Sequence, residues 1–124
     1  VDEALAAAIG RGESPTLFAD EFRTPLHVRQ AGALLWELLA GETTGTLHVA
    51  GRDRVSRWDL GCALADRLGL PRARLRRGSI RDFRGLPPRC PDVSLDVGRL
   101  TRLLGRPAPT LAEGLELPLA RPAV

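Results

Sequence analysis

Residues 45–71 constrain the fold of this chain most, because a β-prone run and a helical pattern follow each other there with only a short turn between them. Residues 46–49 have the sequence Thr-Leu-His-Val, which predicts a short strand. In a strand, Leu47 and Val49 point to one face and the two polar side chains point to the other. Gly51 ends this run. The stretch therefore predicts a strand that leads directly into a helix.

The predicted helix is marked at both ends. Ser56 precedes Asp59 by three residues, the spacing at which an N-cap hydroxyl accepts a backbone hydrogen bond and a carboxylate offsets the helix dipole. Gly69 and Pro71 stop the helix, because glycine adopts the left-handed C-cap conformation and proline cannot continue a helix. The apolar residues on the predicted inner face are Leu60, Ala63, Leu64 and Leu68.

Four other segments have helical patterns, which predicts about five short helices in all. Residues 2–10 have a helix-forming composition. Residues 31–39 carry a leucine-rich stripe that needs a sheet or another helix to cover it. A third helix is capped by Asp96, and a fourth opens with a capping box formed by Thr110 and Glu113. The apolar residues of these predicted helices are Leu5, Ala8 and Ile9 on a common face, then Ala31, Leu34, Leu35, Leu38 and Leu39 in the stripe, then Val97, Leu100, Leu103 and Leu104 facing inward, and finally Leu111 and Leu115.

The remaining segments are predicted to be short strands or loops. Residues 15–18 fit an edge strand, because proline is tolerated at its first position. Residues 74–80 fit a second strand, and their three arginines place it at an edge. Residues 20–25 are polar and turn-like. Residues 81–93 contain three prolines and form a long loop, and such loops are usually functional or disordered. Strand patterns alternate with helical patterns, so the predicted fold class is α/β.

The composition limits what kind of protein this chain can be. Its 124 residues are enough for one modest core. The sequence has no apolar run of membrane-spanning length and no basic-then-apolar leader, which predicts a soluble, cytoplasmic protein without membrane contacts. Cys62 lies in the predicted central helix and Cys90 in the proline-rich loop. With no metal-like spacing, they are predicted to be two free thiols rather than a disulfide or a metal site.

Three enzyme signatures are absent from the sequence. No glycine-rich phosphate loop joins a strand to a helix, because Gly10-Arg11-Gly12 lacks a third glycine and follows a helical pattern. The sequence contains neither Tyr nor Lys, so it has no Tyr-x-x-x-Lys pair, and no serine occupies a nucleophile elbow. His27 and His48 are the ordinary candidates for a general base, and their apolar extended surroundings favour a structural role.

All 18 basic residues are arginines, and they fit three interpretations. Most are surface charges on polar faces or turns. A nucleic-acid patch would use six that lie close together, but the acidic residues and the scarcity of aromatic residues weigh against it. The third interpretation is recognition of a small anion. Arg23 and Arg89 fit it best, because each lies near proline in an irregular segment. A structural alternative for Arg89 is that it tethers its loop to an acid such as Asp92 or Asp96. The six clustered arginines are Arg72, Arg74, Arg76, Arg77, Arg81 and Arg84.

Four motifs follow one another along the chain, and their order and spacing are more specific than any one of them. They are Arg23-Thr24-Pro25, Leu47-His48-Val49-Ala50-Gly51, Val55-Ser56-Arg57-Trp58-Asp59 and Pro91-Asp92-Val93-Ser94-Leu95-Asp96. Together they resemble the C-terminal part of dTDP-4-dehydrorhamnose reductase-like extended short-chain dehydrogenases, over nearly the whole chain. Arg29 departs from that pattern, because those proteins usually carry an acid at this position.

The resemblance implies an arrangement for the whole protein. In that family an N-terminal Rossmann half binds NAD(P)H and supplies a catalytic Tyr and Lys, while the C-terminal part closes over a nucleotide-sugar. By resemblance, residues 26–40 pack on the Rossmann sheet, residues 13–22 and 45–117 build the substrate-binding lobe, and residues 119–124 form a frayed tail. Residues 1–124 are then a single C-terminal fragment: the substrate-binding lobe plus the last helix and strand elements of the Rossmann-type fold, with the N-terminal Rossmann half missing.

The function implied is that of the substrate-binding portion of an NAD(P)H-dependent nucleotide-sugar reductase, which reduces the keto group of a dTDP-4-keto-6-deoxyhexose and is inactive as an isolated fragment. The implied substrate contacts are Arg89, Arg23, Thr24 and Pro25, and the chain supplies no catalytic, cofactor-binding or metal-binding residue. The alternative is a non-catalytic regulatory or binding subunit of the same fold, because some relatives have lost catalysis. The stripe over residues 31–39 would leave an exposed apolar face through which the isolated chain self-associates.

Overall fold

The computed structural model describes residues 2–85 and 87–118, which form two compact units. The first unit contains the chain up to Arg23 together with Val55–Val93, and the second contains Thr24–Arg54 and Ser94–Leu117. In chain order, the elements are α1 (Asp2–Gly10), β1 (Thr16–Phe18), β2 (Phe22–Arg23), α2 (Val28–Leu39), β3 (Val55–Ser56), α3 (Arg57–Leu68), β4 (Arg76–Gly78), α4 (Gly98–Leu104) and α5 (Leu111–Glu116). Short 3₁₀ turns, Arg72–Arg74 and Ile80–Asp82, flank β4. The predicted α/β class is confirmed.

Two small strand pairs organise the first unit. β1 pairs with β4 in parallel, so the strands predicted within residues 15–18 and 74–80 are confirmed at a shorter length. β2 pairs with β3 in the antiparallel direction. The turn predicted over residues 20–25 is therefore wrong at Phe22 and Arg23, because β3 supplies hydrogen-bonding partners that the local sequence does not reveal.

The ends of α3 lie where the sequence predicts them. The Ser56 Oγ accepts a hydrogen bond from the Asp59 amide at 3.0 Å, which satisfies one of the unpaired amides at the helix start. Gly69 has a φ of 67°, a left-handed conformation that glycine adopts without steric cost. The local signals of this helix are therefore sufficient to set its boundaries.

The face that α3 buries is close to the prediction. Leu60 and Leu64 are buried, whereas Leu68, which was predicted to be buried, is 36% exposed because it lies in the last turn before the exposed C-cap. A Cβ atom added to Gly61 would lie 2.0 Å from the Leu17 Cδ1. The helix can therefore approach β1 this closely only because glycine has no side chain.

The second unit has its own apolar core. Leu34 of α2, Leu100 of α4 and Ala108 are buried together, so residues from both ends of the unit's sequence meet there. This grouping separates residues 94–117 from residues 55–93, which were predicted to share one lobe. The partly buried residues around this core are Leu26, Leu38, Leu47, Val49, Val97 and Leu104.

Residues 46–49 show the predicted alternation but do not form a strand. Leu47 and Val49 pack against the core, while Thr46 and His48 are exposed. The strand pairs of the described residues both lie in the first unit. The predicted strand is wrong as a hydrogen-bonded element, because a strand needs a neighbouring chain to pair its amides and carbonyls.

Part of the apolar stripe of α2 is exposed. Leu34 is buried and Leu38 is partly buried. Leu35 and Leu39 are 51% and 78% exposed, and Trp36 beside them is 78% exposed, which agrees with the exposed apolar face expected of this stripe. The described part of the second unit covers only one side of the helix, so an apolar surface remains on the other.

The two C-terminal helices have local caps. α4 begins at Gly98, with Val97 at the N-cap position, and the Oδ1 of the predicted cap Asp96 accepts the Gly98 amide at 2.7 Å. Leu103 was predicted to face inward but is 47% exposed, because it lies in the last turn of α4 and lines an open pocket. The capping box of Thr110 and Glu113 is confirmed at the start of α5. The predicted frayed tail, residues 119–124, lies outside the described residues.

Candidate functional site

The candidate site is built around Glu21, whose carboxylate is buried in the first unit with only 2% of the side chain exposed. Glu21 directly precedes β2, and its carbonyl accepts the Arg57 amide at 2.9 Å. The Phe22 amide donates to the Pro91 carbonyl at 2.8 Å, and the Val93 amide donates to the Phe22 carbonyl at 3.1 Å. β2 therefore pairs both with β3 and with the end of the proline-rich loop, which brings that loop to Glu21.

Three arginines contact the Glu21 carboxylate. Arg89 binds it in a forked arrangement: its Nη2 lies 2.9 Å from Oε1 and 3.0 Å from Oε2, and its Nε lies 3.2 Å from Oε2. The Arg23 Nη2 lies 2.6 Å from Oε1. The Arg57 Nε lies 3.6 Å from Oε2, which is a Coulombic contact rather than a hydrogen bond. Side chains from β2, α3 and the loop thus converge on one buried acid.

Two aromatic rings fix the Arg89 guanidinium further. Its Cζ lies 5.1 Å from the centroid of the Phe18 ring and 5.3 Å from that of the Phe83 ring. The two rings meet edge to face with centroids 6.0 Å apart. Cation–π contacts at these distances are favourable, and they add to the hydrogen bonds with Glu21. Arg89 is therefore held by three side chains, those of Glu21, Phe18 and Phe83.

The cluster carries surplus positive charge, because one carboxylate faces three guanidinium groups. Burial lowers the pKa of Arg57, the charge of Glu21 offsets part of this, and the charges of Arg23 and Arg89 lower it further. The Arg23 Nε is buried and has no hydrogen-bond partner within the described residues. The three arginines therefore carry more N–H donors than the Glu21 carboxylate can accept. Such a surplus favours an anionic ligand with several oxygen atoms.

Asp20 anchors the chain that leads from β4 into the loop. Its carboxylate accepts a hydrogen bond from the Ser79 hydroxyl and another, at 2.8 Å, from the Ile80 amide. These two bonds, the hydroxyl first, lower the pKa of Asp20 below its ordinary value. The anchor fixes the start of the segment that carries Phe83, one of the two rings against Arg89.

The structure brings together two of the four predicted site residues. Arg23 and Arg89 both bind Glu21. Thr24 and Pro25 belong to the second unit. There the Thr24 Oγ1 accepts a hydrogen bond from the Leu95 amide at 3.2 Å, so this hydroxyl has a structural partner.

Sequence reasoning missed Glu21. The structural alternative for Arg89, a tether of its loop to an acid, is present in the structure, but the acid is Glu21 rather than Asp92 or Asp96. A usable signal was present, because residues two apart in a strand point to the same side. A strand over β2 would have placed Glu21 beside Arg23. No local pattern in the sequence indicates the aromatic contacts of Arg89.

The two histidines have different surroundings. His27 is the N-cap of α2, and its Nδ1 accepts the Arg29 amide at 3.1 Å, so its predicted structural role is confirmed. The His48 Nδ1 lies 3.3 Å from the Asp96 carbonyl oxygen. His48 is exposed, as the alternation of residues 46–49 predicts, because its side chain lies on the face opposite Leu47 and Val49, which contact the core.

The cysteines are free thiols, Cys62 buried in α3 and Cys90 exposed in the loop. Burial raises the pKa of the Cys62 thiol. Across residues 2–85 and 87–118, no group of three or more His, Cys, Asp or Glu side chains is arranged to hold a metal ion. None of the described helices combines the length and the apolar character that crossing a membrane requires.

Several of the six clustered arginines have partners within the first unit. Arg72 forms a two-pronged ion pair with Asp66. Arg74 donates to the Gly12 carbonyl at 3.4 Å, and Arg84 donates to a carbonyl within its own turn at 2.7 Å. These contacts fit surface charges that stabilise local turns.

Comparison with known proteins identifies relatives that are longer than this chain and match it over part of their own length. No protein-family model matches the chain. It is 27% identical over 111 residues to the probable low-salt glycan biosynthesis reductase Agl14 of Haloferax volcanii, a match that covers 90% of this chain and 37% of that protein.

The fold of this chain also matches part of longer proteins whose structures have been solved. The chain superposes on dTDP-4-dehydrorhamnose reductase (rfbD) of Bacillus anthracis, solved in complex with NADP, with a TM-score of 0.77 and 18% identity over 93% of this chain and 41% of that one. It superposes on a hypothetical dTDP-4-dehydrorhamnose reductase of Sulfolobus tokodaii with a TM-score of 0.72 and 27% identity over 89% of this chain and 39% of that one. The resemblance to dTDP-4-dehydrorhamnose reductase-like chains is confirmed, and this chain spans about two-fifths of their length.

Proposed function

We propose that this chain is the substrate-binding portion of an NAD(P)H-dependent nucleotide-sugar reductase, most like dTDP-4-dehydrorhamnose reductase. The observation that carries the proposal is the cluster on Glu21, where Arg23 and Arg89 are held together with more positive than negative charge. A nucleotide-sugar carries its charge on phosphate oxygens, which accept forked hydrogen bonds from arginine. The similarity to reductases of this kind supports the same substrate class.

The hydride transfer is assigned to protein outside this sequence. The chain contains no Tyr or Lys and no glycine-rich loop between a strand and a helix, so its residues do not fit an NAD(P)H site. The exposed residues of α2 support a further part of the proposal, that residues 26–40 pack against a Rossmann sheet supplied by the rest of the protein. Trp36 and Leu39, each 78% exposed, would be covered by such a contact.

The arginine assignment is tested by substituting lysine in the full-length protein. Arg89→Lys keeps the positive charge but loses the planar fork. If Arg89 contacts the ligand, the affinity for the nucleotide-sugar falls about tenfold to a hundredfold, which corresponds to about 1.5–3 kcal/mol for a charged hydrogen-bonded contact. Arg23→Lys is expected to act in the same direction, while Arg84→Lys in the same loop region serves as the matched control. Unchanged affinity in both Arg23→Lys and Arg89→Lys would overturn the assignment.

The assignment of hydride transfer to protein outside this sequence is tested by an activity measurement. The chain alone, incubated with NADPH and a dTDP-4-keto-6-deoxyhexose, is expected to show no turnover, and turnover above background would contradict the proposal. Reading the adjoining coding sequence separates the enzyme from the regulatory alternative. A glycine-rich loop and a Tyr-x-x-x-Lys pair there support the reductase, and their absence supports a non-catalytic subunit.

A further inference from the structure

We propose that Glu21 is the positioning residue for the anion contacts of Arg23 and Arg89, an inference that rests on the proposed function. Glu21 itself touches no ligand in this proposal. It fixes the two guanidinium groups before the ligand arrives, so that their remaining N–H donors point to one place. The inference adds a third functional side chain to the site, one that acts through the other two.

The first argument is the balance of charge. A buried carboxylate is costly unless it is paired, and a single arginine with good geometry is enough to pair it. Glu21 is almost fully buried but faces three arginines. Neutralising Glu21 therefore does not explain the number of arginines around it. Bringing several guanidinium groups close together does need a carboxylate between them, because like charges at this distance repel.

The second argument is the set of donors that each arginine uses. A guanidinium has five N–H donors in a fixed plane. The contacts of Arg89 with Glu21 use Nε and Nη2, which leaves the Nη1 hydrogens outside that contact. The hydrogen bond from Arg23 uses Nη2, which leaves the Nη1 hydrogens outside that contact, while its Nε is buried and has no partner among the residues described. Both arginines are therefore oriented by Glu21 while retaining donors for an anion.

The third argument is rigidity. The Phe18 and Phe83 rings hold the guanidinium of Arg89, and Glu21 holds its edge. A long side chain that is already ordered loses less conformational entropy when a ligand binds. Releasing the two arginines is expected to weaken binding about tenfold, through a loss of order rather than a loss of donors.

The test is Glu21→Gln in the full-length protein, with dTDP as the probe and thymidine as the uncharged control ligand. A positioning role predicts that dTDP affinity falls about tenfold while thymidine affinity is unchanged. If Glu21 only competes with the anion for the arginines, removing its charge makes dTDP bind more tightly. If Glu21 serves only folding, stability falls and dTDP affinity does not change. Either of the last two results would overturn the inference.

Two further variants keep the test decisive. Glu21→Asp retains the charge but withdraws the carboxylate by one methylene, so a positioning role again predicts weaker dTDP binding, and unchanged binding contradicts it. If Glu21→Gln does not fold, Glu21→Gln combined with Arg57→Gln removes one charge of each sign and is measured instead, with the same expected loss. Arg89→Lys separates the two proposals. A loss in Arg89→Lys without a loss in the Glu21 variants refutes only this inference, whereas no dTDP binding by the wild type refutes the proposed function and this inference with it.

Discussion

Gly51 is the residue at which backbone crowding permits the least change. A Cβ atom built at this position would lie 1.9 Å from the carbonyl oxygen of Pro25, and a backbone atom cannot move aside as the end of a side chain can. The Gly51 amide also donates to the Thr24 carbonyl at 3.4 Å. This close approach holds Thr24 and Pro25 of the Arg23-Thr24-Pro25 motif against Gly51.

We therefore expect Gly51→Ala to destabilise the protein by about 3 kcal/mol, because the added methyl group forces the two backbone segments apart. The measurement is the free energy of unfolding from urea denaturation. Gly32→Ala is the matched control, since nothing lies within 4 Å of a Cβ at Gly32 in the exposed middle of α2. That variant is expected to be more stable by about 0.5–1 kcal/mol, because alanine favours helix. Equal effects of the two substitutions would contradict the steric argument.

Single residues were predicted well where their role is local and poorly where it is not. Ser56 and Gly69 were identified because a cap depends on neighbours three or four positions away. Glu21 was not, because its partners Arg57 and Arg89 are distant in the sequence and only the folded chain brings them together. Burial of an acid is also rare, so composition gives no reason to expect it.

At the scale of elements, the cap of α3 is expected to contribute measurably to stability. Ser56→Ala removes the buried side-chain oxygen that accepts the Asp59 amide. The expected loss is about 1 kcal/mol in the free energy of unfolding, typical of an N-cap serine. Ser14→Ala, a loop serine outside the helices, is the control for the loss of a hydroxyl. A loss at position 56 no greater than at position 14 would show that the cap contributes nothing.

The anchor at Asp20 predicts a pH dependence. The Ser79 hydroxyl and the Ile80 amide lower the pKa of Asp20 in the folded protein below its ordinary value of 3.8. A lowered folded-state pKa means that the stabilising contribution is present above the unfolded value and is lost as the pH falls through the folded value. Stability is therefore expected to decrease in the acid range below about pH 4 in part because Asp20 takes up a proton.

Ser79→Ala removes the larger cause of this shift. We expect the variant to lose less stability than the wild type between about pH 5 and pH 2, measured as the change in thermal unfolding midpoint. Asp20→Asn is expected to flatten the same part of the profile, because asparagine does not titrate. Identical acid profiles in the wild type and both variants would rule out Asp20 as a contributor.

Helices and strands were predicted well when the signals that form them lie close together in the sequence. Helices were located from caps and periodicity. β2 and β3 are two residues each, and such strands exist only through pairing between distant segments, which no local pattern encodes. Residues 46–49 show the converse error, because their β-prone sequence and alternation are real but no described strand lies beside them.

At the scale of the whole molecule, the sequence predicted the family resemblance better than the site. The resemblance depends on the order of several motifs along the chain, and the structural match over about nine-tenths of this chain confirms it. The centre of the site depends instead on which side chains the fold brings together. Arg23 and Arg89 were chosen for their local setting, and their shared contact with Glu21 is a property of the tertiary structure.

The exposed stripe of α2 leads to a prediction about the isolated chain. Val28, Leu35, Trp36 and Leu39 are 75%, 51%, 78% and 78% exposed, and their spacing places Val28, Leu35 and Leu39 along one side of the helix. Burying apolar surface stabilises by about 25 cal/mol per Å². With no other protein present, a second copy of the chain is available to cover the stripe. We therefore expect the chain alone to self-associate as its concentration rises, measured by sedimentation equilibrium.

Trp36→Gln tests whether α2 is the contact, because it removes the largest exposed apolar side chain without changing the charge. The variant is expected to shift the association to at least about tenfold higher concentration, since removing an exposed aromatic anchor from an interface typically costs more than 1 kcal/mol. Arg29→Gln, also exposed on α2 but polar, is the control and should associate like the wild type. A wild-type chain that stays monomeric at every concentration, with a sharp cooperative unfolding transition, would show that the exposed stripe needs no partner. That result would also remove the support that α2 gives to packing of residues 26–40 against a Rossmann sheet.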